Sequence, residues 1–117
     1  MPGATVDVGT SPDGTLVVRP HGALGAAEAV ELRRTLVHAI RHDRPLRLVV
    51  DLTDVTELDS INLGTLVAAC HLGDDHRVAV FLDHPAGPVA DQLTAAGVPT
   101  HRVRHVVEGA AGQTRCS

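Results

Sequence analysis

Between two apolar runs the chain sets out Asp51-Leu52-Thr53-Asp54-Val55-Thr56-Glu57-Leu58-Asp59-Ser60-Ile61-Asn62-Leu63-Gly64, a stretch dense in carboxylates and hydroxyls. Residues 46–52 read as a buried strand and residues 61–72 as a helix, so an acidic loop delivers Ser60 to a helix start. Loops at the carboxyl ends of parallel strands are where such sheets place functional groups. Asp59 or Ser60 can simply cap the helix, because both side chains accept backbone N–H bonds. As a hydrolytic nucleophile, Ser60 would need a positioned His and an orienting acid. The strand–turn–helix setting suits a nucleophile elbow, but the Gly-x-Ser-x-Gly pattern is missing. A chain of 117 residues also leaves few walls for a substrate pocket. No catalytic residue is assigned, and the chain is not expected to be an enzyme.

Other chemistry-bearing residues fall into weaker patterns. His38 and His42 are four apart, as are His101 and His105, a spacing that can place two imidazoles on one metal. No carboxylate or Cys completes either pair by sequence, so no metal site is expected. Phosphate-loop nucleotide binding would need Gly-x-x-x-x-Gly-Lys, and the chain has no Lys. Cys70 and Cys116 stand in no metal-binding spacing. Cys70 reads as a buried free thiol and Cys116 as part of the tail. No cofactor is implied.

The elements that must position these residues follow from periodicity. Val6 and Val8 alternate with polar residues, Ser11-Pro12-Asp13-Gly14 supplies turn chemistry, and Leu16 and Val18 alternate again. Two antiparallel strands over 5–9 and 15–19 follow. Gly22 and Gly25 loosen the chain before an amphipathic helix over 26–41, with Ala29, Leu32, Leu36 and Ile40 on one stripe. Cationic residues and Pro45 end it. The helix over 61–72 carries Leu63, Leu66, Val67 and Cys70 on one side, with Gly73 as its C-cap. A strand over 77–82 and a helix over 88–96 come next, then a short strand, or a strand leading into a helix, over 100–107. Alternating strands and helices imply a mainly parallel sheet reached by right-handed crossovers. Residues 109–117, small and polar, read as a disordered tail.

Composition narrows the function further. The chain has one aromatic residue, Phe81, and a formal charge of −4. Single-stranded nucleic acid is read by aromatic stacking, and phosphate backbones demand a basic face, so nucleic-acid binding is disfavoured. Met1–Thr5 lacks a basic region followed by an apolar run, and the longest nearly apolar stretch, 63–72, is too short to span a bilayer. With only two cysteines, a reduced, cytoplasmic protein without a membrane partner is expected.

The strand ending in Asp51-Leu52-Thr53-Asp54-Val55, then Leu58-Asp59-Ser60, two residues, Leu63-Gly64 and an apolar helix, resembles the signature of STAS domains. It is most similar to the bacterial anti-sigma factor antagonists, whose pattern reads Asp-Ser-(Ser/Thr)-Gly-Leu-Gly. The resemblance spans residues 5–107, including Gly22-x-Leu24 and the Val89…Leu93…Gly97 pattern. It implies one α/β STAS-like domain over 1–108, with a mixed four- to five-stranded sheet, an N-terminal β-hairpin and three to four packed helices.

It further implies that Ser60 accepts phosphate from the partner, an anti-sigma factor with a histidine-kinase-like ATPase fold acting as a serine kinase. ATP and Mg²⁺ would belong to that kinase, and a serine phosphatase would reverse the step. The implied partner-binding residues are Asp54, Thr56, Asp59, Ser60, Ile61 and Asn62. Three positions depart from the pattern: Ile61 replaces the second hydroxyl, Asn62 the usual Gly, and Gly25 a common Asp. Asn tolerates left-handed backbone, so the turn is expected to survive. The alternative role is a STAS scaffold or sensor subunit without a working phospho-switch.

Overall fold

The computed structural model describes residues 4–105. Strands β1 (Ala4–Thr10) and β2 (Leu16–Leu24) pair antiparallel, from Ala4 opposite Gly22 to Thr10 opposite Leu16. The turn closes as its residues dictate. Gly14 takes φ +87°, its amide donates to the Ser11 carbonyl at 3.0 Å, and Asp13 Oδ1 accepts from the Thr15 amide at 3.1 Å. Strand β2 runs past its expected end at residue 19 because it serves two parallel neighbours in turn. It pairs with β3 (Arg47–Asp51) over Leu16–Val18 and with β4 (Val55–Leu58) from Gly22 to Leu24. Pro20, which has no N–H to give, falls in the gap between the two pairings. Gly22, at φ +89°, marks the register shift that starts the second.

Strand β4 corrects the expectation of an acidic loop between β3 and the helix that starts beside Ser60. Only Val55 and Leu58 of its four residues are buried, so the period-two alternation that betrays a strand never forms. With β5 (Ala79–Asp83) beside β3, and β6 (Val103–Arg104) beside β5, the sheet has six strands among the described residues, in the order β1-β2-β3-β5-β6, β4 lying off that path against β2. That is one more than the upper expectation. The ambiguous segment over 100–107 resolves, as far as residue 105, into a 3₁₀ turn at Thr100–Arg102 followed by β6. The proposed tail over 109–117, Cys116 and the domain boundary at 108 lie outside the described residues.

Among the described residues three helices pack on the sheet: α1 (Ala26–His38), α2 (Ser60–Asp75) and α3 (Gly87–Ala95). The stripe Ala29, Leu32, Leu36 and Ile40 is buried, Ile40 in a π-helical turn (Ala39–Asp43) that extends α1. Of these, Leu32, Leu36 and Ile40 join Leu16, Val18, Leu48, Val50, Val80, Leu82, Leu66, Cys70, Val89 and Leu93 in one core. Each fully buried Leu contributes about 1.5–3 kcal/mol relative to exposure. Burial pushes the Cys70 thiol up from its ordinary pKa, keeping it protonated. Gly73 is not the C-cap its position suggested, since α2 continues to Asp75. A Cβ there would stand 2.5 Å from Val80 Cγ2 and 2.6 Å from the Val78 carbonyl, so glycine lets α2 approach β5.

The other sheet face carries charge. Arg19 pairs with Asp51 at 3.1 Å, and Arg104 grips Asp83 with two bonds of 2.8 and 2.9 Å while its guanidinium lies 4.1 Å from the Phe81 ring centre. Among the described residues no helix is long and apolar enough to cross a membrane.

Candidate functional site

Strands β3 and β4 are nearly one strand, broken at Leu52–Asp54 and continuing beside β2. Asp51 makes the break by accepting from the Thr53 amide at 3.0 Å and the Thr53 hydroxyl at 2.6 Å. Burial pushes its carboxyl up, but these two bonds and the Arg19 guanidinium outweigh that and leave it below the ordinary carboxylate value. The chain then turns on Val55 N–H to the Leu52 carbonyl, 3.1 Å, and delivers β4 toward α2.

Four contacts fix β4 at both ends and the start of α2. The Gly22 amide donates to the Asp54 carbonyl at 2.9 Å and the Asp59 amide to the Leu24 carbonyl at 3.1 Å. Gln92 Nε2 on α3 donates to the Leu58 carbonyl at 2.9 Å, and Asn62 Nδ2 reaches back to the Gly25 carbonyl at 2.9 Å. Three separate elements thus hold one short segment, and its helix start is preorganised.

The cap belongs to Asp59. It is extended, at φ −81° and ψ 173°, and its Oδ1 accepts from the Asn62 amide at 2.9 Å and from Asn62 Nδ2 at 2.7 Å. Ser60 is therefore the first helical residue, exposed, with its hydroxyl outside the cap. Of the two capping candidates, only Asp59 caps.

The implied partner-binding residues divide. Thr56 and Asp59 line one cleft of about 550 Å³, together with Glu28, Glu57 and Gln92. Ile61, 55 % exposed, lines a separate groove on the other side of Ser60. Asp54 is exposed but joins neither; it pairs at 2.9 Å with His21, whose other ring nitrogen lies 2.8 Å from Asp7. Asn62 corrects the expectation outright. It is fully buried, at 0 % exposure, in helical backbone, and so presents no surface to a partner and needs no left-handed conformation. Three residues past the N-cap, its side chain turns back under the cap.

Glu28 and Gln92 have no place in the sequence reading of this site, and Gly25 enters it only as a departure from the family pattern. Gly25 is the N-cap of α1 and has no side chain, so Glu28 supplies the reciprocal half of a capping box, its Oε1 accepting from the Gly25 amide at 2.9 Å. A Glu three residues into a helix is the signal that could have found it. His38 and His42 lie with ring centres 4.8 Å apart, but among the described residues no group of three His, Cys, Asp or Glu side chains is gathered. His101 sits in the 3₁₀ turn and His105 beyond β6, off any shared helical face.

This arrangement, a mixed sheet backed by helices with an acid-capped helix and exposed serine at a strand end, is that of a STAS domain. The chain belongs to that family: a STAS domain profile matches residues 9–106. Among solved structures, the phosphorylated form of the Bacillus cell fate determinant SpoIIAA aligns at TM-score 0.75 and 15 % identity, covering 92 % of this chain and 96 % of that one. An anti-sigma factor antagonist from Mycobacterium paratuberculosis aligns at TM-score 0.69 and 27 % identity, with 92 % and 90 % covered. The murine anion transporter Slc26a9 aligns at TM-score 0.67 and 18 % identity, over 84 % of this chain but 17 % of the transporter. No curated protein matches the sequence significantly.

Proposed function

We propose that this chain is an anti-sigma factor antagonist that binds a kinase-type anti-sigma factor when unphosphorylated and is switched off by phosphorylation of Ser60. The observation that carries the reading is the division of labour at the helix start: Asp59 caps α2, and the Ser60 hydroxyl stands exposed. The M. paratuberculosis protein, described as an anti-sigma factor antagonist, and the phosphorylated form of SpoIIAA support it.

The chain's own chemistry explains how such a switch works. Phosphate on Ser60 would add roughly −1.5 to −2 charges beside Asp59, with Glu57 and Glu28 on the adjoining cleft. In the free protein the N-terminal dipole of α2 offsets part of that charge. A partner seated over Ser60 would meet both the charge and its cost of desolvation, and about 2.8 kcal/mol weakens binding a hundredfold. The four bonds fixing the segment mean that the helix need not move. The antagonist acts as a substrate and binding module in the cytoplasm, with no cofactor of its own, and a serine phosphatase resets it. A STAS scaffold or sensor subunit is the second reading. It draws on Ile61, which puts an apolar side chain where the family pattern has a hydroxyl.

The test is a pull-down from native-host lysate with wild type, Ser60→Ala and Ser60→Asp as baits, partners and phosphosites being identified by mass spectrometry. Retention of a kinase-like anti-sigma factor by the first two and its loss, by about a hundredfold, with Ser60→Asp is expected. If all three baits recover one non-kinase partner, the scaffold reading replaces the switch.

A further inference from the structure

Helix α2 has no Asp, Glu, Lys or Arg from Ser60 to Gly73, its one imidazole there being the exposed His71, and part of its apolar surface faces solvent: Ile61 is 55 % exposed, and Gly64 and Ala68 are exposed with it. A helix so poor in charge ordinarily buries most of its surface. Here it forms one wall of a groove of about 600 Å³ whose other wall is α1; the half-buried Val37, Thr65 and Leu72 line it above the buried Leu36, Ile40 and Ala69. The groove follows α2 from Ile61 to Leu72, about 17 Å at 1.5 Å per residue, or three helical turns. Its α1 rim carries Arg33 and Arg41, and Arg34 and His38 lie further out on the same side. Among the described residues none of these three arginines has a carboxylate partner. In a chain of net charge −4 this is an uncompensated cationic stripe.

We infer that the groove between α1 and α2 seats an acidic amphipathic helix of the protein recognised at Ser60, with its apolar stripe on Ile61, Ala68 and Leu72 and its carboxylates over Arg33 and Arg41. The inference rests on the proposed function for the identity of that protein. Ile61 is the link, since it lines the groove and directly follows Ser60. A long open trough with apolar floor and charged rim suits helix-in-groove recognition, read through anchors spaced i, i+3, i+4 and i+7. A second copy of this chain is disfavoured, because a two-fold contact across the groove would set Arg33 and Arg41 against themselves. The acidic cleft on the far side of Ser60 orients the partner, which must be acidic along α1 and tolerate carboxylates beyond Asp59.

The experiment is a fluorescence anisotropy titration of a fluorescein-labelled peptide of about five helical turns, roughly 18 residues, with Leu at the anchor spacing and Glu on both flanks, against the full chain. Saturable binding is expected, weakened about tenfold or more by Ala68→Trp and by Arg33→Glu with Arg41→Glu. A Lys-flanked peptide should regain binding to the charge-reversed pair. Both sites are exposed, so unchanged melting temperatures would show that the variants fold. Absence of saturable binding, or equal binding to Ala68→Trp, overturns the inference. So does a dimer in sedimentation velocity that Ala68→Trp disperses, because a second copy then fills the groove. The peptide titration contains no kinase and the phosphosite assay no peptide, so the groove and the Ser60 switch can fail separately.

Discussion

Asn62 is a buried amide whose two donor bonds both serve neighbouring segments. Its Nδ2 faces the Gly25 carbonyl and Asp59 Oδ1, and because both are acceptors the orientation of the amide is fixed. Its Oδ1 has no partner. Removing the side chain leaves a buried carbonyl and part of the cap unsatisfied, a loss of about 1–3 kcal/mol. Asn62→Ala should therefore lower the melting temperature by several degrees. Asn62→Asp should be worse at pH 7, placing a second carboxylate against Asp59, and that excess should shrink as the pH falls toward 4. Thermal melts of both variants across that range check this; equal melting temperatures at pH 7 would show that Asn62 is not held as described. Asp59 and Ser60 were legible as a helix start because capping side chains have a known chemistry. The burial of Asn62 was not, since whether the third residue of a helix turns inward depends on what packs beside it, here the Gly25 carbonyl from a distant part of the chain.

At the scale of elements, regular periodicity was readable and its exceptions were not. The 3.6-residue stripe of α1 is buried as its spacing demands. Strand β4 escaped because two exposed residues in a row, Thr56 and Glu57, break the alternation, and pairing with a bulged β2 tolerates this. Gly73 was misread for a related reason: glycine near a helix end suggests a cap, whereas tertiary packing needs it within the helix. Two glycines of α2 now give opposite expectations. Helix propensity favours Ala over Gly by about 1 kcal/mol. At Gly64, where an added Cβ meets nothing within 4 Å, Gly64→Ala should stabilise by about 0.4–1 kcal/mol. At Gly73 the same change drives a methyl into the Val78 carbonyl and Val80, and the overpacking cost of about 1–3 kcal/mol should reverse the sign. Chemical denaturation of both variants decides it; a stabilised Gly73→Ala would mean α2 is free to draw back from β5.

For the whole molecule, the sheet face away from the helices sets the response to acid. Parallel sheets are usually covered on both faces, but this one exposes a ladder of ion pairs, Arg47 with Asp13, Arg19 with Asp51 and Arg104 with Asp83. Asp51 and Asp13 are both held below the carboxylate reference of 3.8, Asp51 against its own burial by Thr53 and Arg19, Asp13 chiefly by the Thr15 amide. A carboxyl with a lower pKa folded than unfolded stabilises the fold fully above the unfolded value. That contribution fades as the pH drops through the folded value, because the unfolded chain takes up protons first. Melting temperature should therefore hold between pH 7 and 5 and fall below about pH 4. Asp51→Asn isolates one member. It keeps an acceptor for Thr53 but gives up the charge facing Arg19, a half-exposed pair worth about 1 kcal/mol or less. Its melting temperature should lie below wild type at pH 7, and the two curves should converge as the pH falls through the lowered value of the folded carboxyl and the wild type loses that charge too. Calorimetry at several pH values reads this directly. Parallel curves across the whole acid limb would mean that Asp51 shapes the turn into β4 through its hydrogen bonds alone, and that its charge plays no part in holding the segment that carries Ser60.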